Sequence, residues 1–142
     1  MAVLTRAQTI SQTSKKLETY SDFSTAFSKH PITNELITIR NEDSVRQAFK
    51  NLILTNIGER LFNPFFGSNV TKSLFENYSP FVREDIVRYI TNSAKQFENR
   101  IQILQINIAD LTDKNALQVD VIFSLINTPT PINLSLFLKR VR

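Results

Sequence analysis

The C-terminal part of the chain switches to a hydrophobic period of two, which restricts the folds open to it. Ile101, Ile103, Ile106 and Ile108 alternate with other residues, with one slip near Leu104-Gln105. Leu117, Val119, Val121, Phe123 and Leu125 alternate cleanly, as do Ile132, Leu134, Leu136 and Leu138. Such a period puts every apolar side chain of a strand on one face. Three consecutive strands with short links predict an antiparallel meander, with a bulge at the slip. The expected links are a turn from Asp110 to Asn115 and a loop over Asn127-Thr-Pro-Thr-Pro131. A sheet with one apolar face must be covered, and the rest of the chain has to supply the cover.

Helical periods upstream provide it. Asn41 is placed as an N-cap, with Glu42 and Asp43 in the first turn. Val45, Ala48, Phe49, Leu52 and Ile53 then recur at i, i+3, i+4, i+7 and i+8, predicting an amphipathic helix from about 42 to 56. Ser68 is placed as the cap of a short helix with Val70, Leu74 and Phe75 facing inward. Ser79-Pro80 opens another, ending near 99, with Val82, Ile86, Tyr89, Ile90 and Phe97 on its apolar side. Leu36 to Arg40 is a short β-rich run, and Tyr20 to Phe27 an extended segment laid across a core. Residues 1–19, rich in Ser, Thr, Gln and Lys, are expected to form a flexible arm, and 20–142 a single domain. The fold class is α+β: two layers, with helices packed on a C-terminal three-stranded antiparallel meander.

Composition excludes several chemistries. There is no cysteine, so thiolate metal sites are absent. His30 is the only histidine, which removes paired-His zinc sites and leaves one candidate for any Ser/His/Asp triad. Gly58 and Gly67 are the only glycines, so no phosphate cradle can form. Asp110, Asp113 and Asp120 do not match a calcium loop. No catalytic residue, metal or cofactor is therefore assigned. The net charge is +4, but Lys and Arg are scattered, with Lys139-Arg140-Val141-Arg142 the one dense group. Nucleic-acid binders gather such charge into a patch, so no nucleic-acid partner is expected. No apolar run approaches the roughly 20 residues of a membrane span. The N-terminus has no signal-peptide pattern, so neither a membrane partner nor secretion by the usual route is expected.

One stretch is unusual. Residues 57–68 hold both glycines, Pro64, and Phe62, Phe65 and Phe66, so they form a loop that is apolar where loops are usually polar. It packs on its own domain or meets another chain. Glu59-Arg60 is its charged pair. A general acid of lysozyme type would need a raised pKa and a second carboxylate about 5 to 9.5 Å away. The loop holds no second acid, and pairing with Arg60 would push the pKa down. Glu59 as a brace of the loop and Glu59-Arg60 as a grip on a partner subunit both remain open. Peptidoglycan hydrolysis is the enzymatic rival, and a nucleic-acid or chaperone-type adaptor a second.

The run Asn41-Glu42-x-x-Val45-x-Gln47-x-x-x-Asn51-Leu52-x-Leu54-Thr55-x-x-Gly58-Glu59-Arg60-x-x-x-Pro64-x-x-Gly67-Ser68, then Leu74-Phe75-Glu76, resembles a known family. It is similar to the baseplate wedge proteins of contractile phage tails, related to the sheath-initiator subunit of type VI secretion baseplates. Tyr20-Ser-Asp-Phe23 resembles the opening of that family. In secretion-system members a Pro often separates the motif Glu and Arg; here they are adjacent, as in phage-like members. The resemblance implies a fold like the sheath subunit's interlocking domain, a place in the virion's tail baseplate and assembly in the host cytoplasm. It implies partners among other wedge proteins, the sheath subunit, and tube or hub proteins. Some relatives carry a lysozyme label. The expected partner contact is Glu59, Arg60, Phe62, Pro64, Phe66 and Gly67. The expected sheath-contact strand is Ile132, Leu134, Leu136 and Leu138, joined by strand exchange, with the backbone of 101–108 as the other candidate edge.

Overall fold

A computed structural model describes residues 19–77, 79–111 and 114–139. The expected arm lies almost wholly outside the described residues. The elements run β1 (Ser21–Phe23), β2 (Thr38–Arg40), α1 (Glu42–Leu54), α2 (Val70–Ser73), α3 (Pro80–Phe97), β3 (Ile101–Leu111), β4 (Ala116–Leu125) and β5 (Thr128–Lys139). β3, β4 and β5 form an antiparallel sheet in that order, and β1 pairs with β2 in a small ribbon. The two-layer α+β arrangement is the one the hydrophobic periods require.

The core lies between sheet and helices. α1 contributes Val45, Phe49, Leu52 and Ile53, and α3 contributes Val82, Ile86, Ile90 and Ala94, all buried. Leu117, Val119, Val121, Phe123 and Leu125 of β4 face them, beside Ile132, Leu134, Leu136 and Leu138 of β5. Phe49 meets Phe123 edge to face, with ring centroids 5.3 Å apart. Tyr89 and Phe97 pack against the margin of this core. Ser79 caps α3 through its side chain, which accepts from the Val82 N–H, with Pro80 in the first turn.

Several local expectations are corrected. Asn41 precedes α1 but does not cap it with its side chain; its φ is +49°. Its Oδ1 accepts instead from the N–H of Thr19 and Tyr20, tying the entry of β1 to α1. The side chain of Phe75 is mostly exposed, because α2 is one turn long and ends before it. Asp110 and Leu111 belong to β3 and pair with Leu117 and Ala116. The loop expected over 127–131 is shorter: β5 starts at Thr128, so only Ile126 and Asn127 form the turn. Pro129 and Pro131 fit inside β5 because it is an edge strand. The bulge on β3 falls between Ile103 and Gln105, as the slip in alternation requires.

The register also fixes which backbone groups point where. The Ile126 N–H donates to the Arg100 carbonyl, so even-numbered residues at this end of β4 turn toward β3 and odd-numbered ones toward β5. Following the pairs, the backbones of Ile132, Leu134, Leu136 and Leu138 turn to β4, and those of Pro131, Asn133, Ser135 and Phe137 turn away. On β3, Gln102, Gln105 and Asn107 turn to β4, while Ile103, Ile106 and Ile108 turn away.

Candidate functional site: the loop from Asn56 to Ser68

The loop leaves α1 where Thr55 turns extended, at φ −81° and ψ 127°. Its base is closed by a parallel bridge between Asn56 and Ser68. The Ser68 N–H donates to the Thr55 carbonyl at 2.8 Å, and its Oγ donates to the Ile53 carbonyl at 2.6 Å. Ser93 of α3 donates to the Gly67 carbonyl at 2.9 Å. Thr71 of α2 donates to Asn56 Oδ1. Three helices thus hold the two ends of the loop together.

Both glycines have positive φ, +95° at Gly58 and +124° at Gly67. Gly58 donates to the Pro64 carbonyl at 2.8 Å, folding the loop back on itself. Gly67 sits so close to Thr55 that a side chain there would collide with the backbone. This explains glycine at the two ends of a stretch that is otherwise large and apolar.

Glu59 braces the loop. Its two oxygens accept from the Asn56 N–H at 2.8 Å and from Asn56 Nδ2 at 2.7 Å. The hydrogen bonds from the Asn56 side chain, then from its backbone, hold the Glu59 carboxyl below the ordinary value of 4.5. Arg60 lies over the Phe66 ring, 4.5 Å from its centroid, and makes no ion pair with Glu59. Phe66 is half-buried and tilts onto Phe97 of α3 at 5.2 Å. The tip is different. Leu61, Phe62 and Phe65 are 83%, 105% and 74% exposed. Phe62 also has φ +67°, a conformation bulky residues rarely adopt.

The six expected contact residues therefore divide. Glu59 and Gly67 shape the loop, Arg60 and Phe66 tie its flank to α3, Pro64 closes the Gly58 turn, and Phe62 projects. Leu61 and Phe65 join Phe62 at the surface, and the absence of any helical or strand period over this stretch was the signal for Phe65. An open groove of about 540 Å³ runs beside the loop, lined by Asp22, Ala48, Asn51, Thr55, Glu59, Arg60 and Phe66. Asp22 is the acid that sequence spacing could not bring here; β1 does so. Among the described residues no group of three or more His, Asp or Glu could hold a metal, and no helix is long and apolar enough to cross a membrane. His30 sits in a turn, where its Nδ1 accepts from the N–H groups of Ile32 and Thr33.

The side chains of Ile132, Leu134, Leu136 and Leu138 are all buried against the helices. Neither their side chains nor their backbone groups face outward from the sheet edge. What β5 presents outward is the backbone of Asn133, Ser135 and Phe137.

This fold recurs in chains of contractile-tail baseplates. A chain of the anti-feeding prophage baseplate superposes with a TM-score of 0.67 at 20% identity, over 75% of this chain and 85% of that one. A tail lysozyme, so described, from Geobacter sulfurreducens gives 0.66 at 20% identity, over 71% and 92%. A chain of the post-contraction pyocin R2 baseplate gives 0.52 at 16% identity, over 68% and 93%. These likenesses concern the fold. The sequence goes further: the profile of the family described as baseplate wedge protein gp25 matches residues 40–130. The baseplate wedge protein gp25 of Enterobacteria phage T4 is 33% identical over 89 residues, covering 63% of this chain and 67% of that protein. The chain belongs to the gp25 family of baseplate wedge proteins.

Proposed function

We propose that this protein is a structural subunit of a contractile tail baseplate, in the inner wedge of the virion. It binds other wedge proteins through the Asn56–Ser68 loop and starts sheath polymerisation by strand addition at an edge of the β3–β4–β5 sheet. It acts without catalysis and is assembled in the host cytoplasm.

The observation that carries this reading is the construction of the loop. Its base is tied to three helices, while Leu61, Phe62 and Phe65 stand in solvent. Large apolar groups held rigidly outward lose area to water in the free chain and recover it against a partner. Arg60, with its guanidinium carbon 4.5 Å from the Phe66 ring centroid, offers donors to a carboxylate of that partner. Family membership supports the same setting.

The hydrolase reading gains Asp22 as a second carboxylate in the groove. It is disfavoured by the acidity of Glu59, since a general acid working near neutrality needs its pKa raised. Two experiments separate the readings. Glu59→Ala and Arg60→Ala should each depress the yield of sheathed tails, and normal yields from both would refute the loop assignment. Zymography on peptidoglycan should show no clearing; a clearing zone lost in Glu59→Gln would establish the enzyme.

A further inference from the structure

The small ribbon of β1 and β2 is well tied within itself. Its strands pair from Ser21 with Arg40 to Phe23 with Thr38. Beyond them the Ser24 N–H donates to the Ile37 carbonyl at 3.0 Å, the Ile37 N–H to the Ser28 carbonyl at 3.0 Å and the His30 N–H to the Glu35 carbonyl at 2.7 Å. Its attachment to the rest of the fold is of another kind. Phe23, Phe27, Ile32 and Leu36 are all exposed, so burial of these side chains does little to hold the ribbon down.

Much of the seat is polar. The Gln47 side chain of α1 makes three hydrogen bonds to the ribbon. Its Nε2 donates to the Phe23 carbonyl at 2.8 Å, and its Oε1 accepts from the Thr25 N–H at 3.0 Å and from the Thr25 hydroxyl at 3.1 Å. At the base, Asn41 Oδ1 accepts from Thr19 and Tyr20, and the Asn41 N–H donates to the Tyr20 carbonyl at 2.7 Å. Tyr20 itself packs against the margin of the core. Asn41, at φ +49°, turns the chain between β2 and α1, and the ends of elements are where hinges sit. The ribbon carries Asp22, one wall of the groove beside the Asn56–Ser68 loop; Glu59, Arg60 and Phe66 form the other, on a loop whose base three helices fix.

We infer that the β1–β2 ribbon is a hinged wall of that groove, pinned at Asn41 and Tyr20 and latched by Gln47. When the three bonds of the latch open together, the ribbon swings as a unit on its base. Asp22 then leaves the groove, and the α1 floor at Ala48 and Asn51 opens wider to a partner. The groove has one fixed wall and one moving wall, and a single amide sets its width. The inference takes its purpose from the reading of the loop as a partner contact; its test uses the free chain and does not depend on that reading.

The chain has no cysteine, so a pair of spin labels can be placed through Ile32→Cys at the ribbon tip and Lys50→Cys on the exposed side of α1. The distance between them should be single and narrow with Gln47 present and broad once Gln47→Ala is added. Alanine is a good helix former, so α1 keeps its structure in the variant. Amide exchange followed by NMR gives the second reading. In Gln47→Ala, exchange at Thr25 should speed up about tenfold, while Ile37, bonded inside the ribbon, and the central strand β4 keep their rates. An unchanged distance distribution with an unchanged Thr25 rate would overturn the latch. Loss of protection at Ile37 together with Thr25 would mean that the ribbon melts instead of swinging, and would overturn the hinge. Either result leaves the loop assignment standing, which the tail yields of Glu59→Ala and Arg60→Ala decide separately.

Discussion

A Cβ built on Gly67 would come 2.5 Å from the Thr55 carbonyl oxygen, and φ there is +124°. Gly67→Ala therefore pushes the end of the loop off α1 as well as straining the backbone. A loss of about 1 to 3 kcal/mol is expected from the backbone alone, read from urea melts. Gly58→Ala meets no neighbouring atom and should cost less. Glu59 gives a different signature. Its carboxyl is held below 4.5 in the fold, so its brace is at full strength above that pH. The contribution falls as pH drops through the unfolded value and is gone below the folded one. Glu59→Gln should accordingly lower stability at neutral pH and bring the two proteins together in acid; equal differences at all pH would contradict the brace. At this scale the sequence was partly legible. Positive φ at Gly58 and Gly67 could be anticipated, because only glycine adopts it freely. Asn41 could not: capping and anchoring β1 both suit an asparagine, and only the position of Thr19 and Tyr20 decides between them.

Among the elements, β5 carries the sharpest prediction. The Leu134 N–H turns to β4, whereas the Ser135 N–H turns outward. Leu134→Pro should break the ladder and unfold the sheet, while Ser135→Pro should keep the native circular dichroism spectrum. In the core, Phe49→Ala removes the edge-to-face contact with Phe123 and should cost about 3 to 5 kcal/mol. The strands and the two longer helices were legible because each buries one face, and burial imposes a period. The hairpin at Ile126 and Asn127 was not. Prolines normally argue for a loop, and they are compatible with a strand only at an edge, which is a property of the sheet rather than of the local sequence.

The whole molecule is organised around fixed ends and free surfaces. Buried Glu98 receives the fork of Arg100, whose guanidinium also lies 5.2 Å from the Tyr20 ring centroid. The Tyr20 hydroxyl accepts from Asn127, so one cluster joins β1, the end of α3 and the β4–β5 turn. At the Asn56–Ser68 loop, α1, α2 and α3 converge in a comparable way. Away from these anchors Leu61, Phe62 and Phe65 of the loop tip stand exposed. The loop was recognisable as a candidate site from its glycines and phenylalanines; the groove beside it was not, because it exists only once Asp22 of β1 lies near α1. The central claim is that the protein works by being held in an assembly. The most direct measurement is electron microscopy of tails made with Leu61, Phe62 and Phe65 all changed to serine. These side chains are exposed, so the purified variant should remain folded. Sheathed tails should then be nearly absent, and sheathed, contracting tails in normal number would contradict the account.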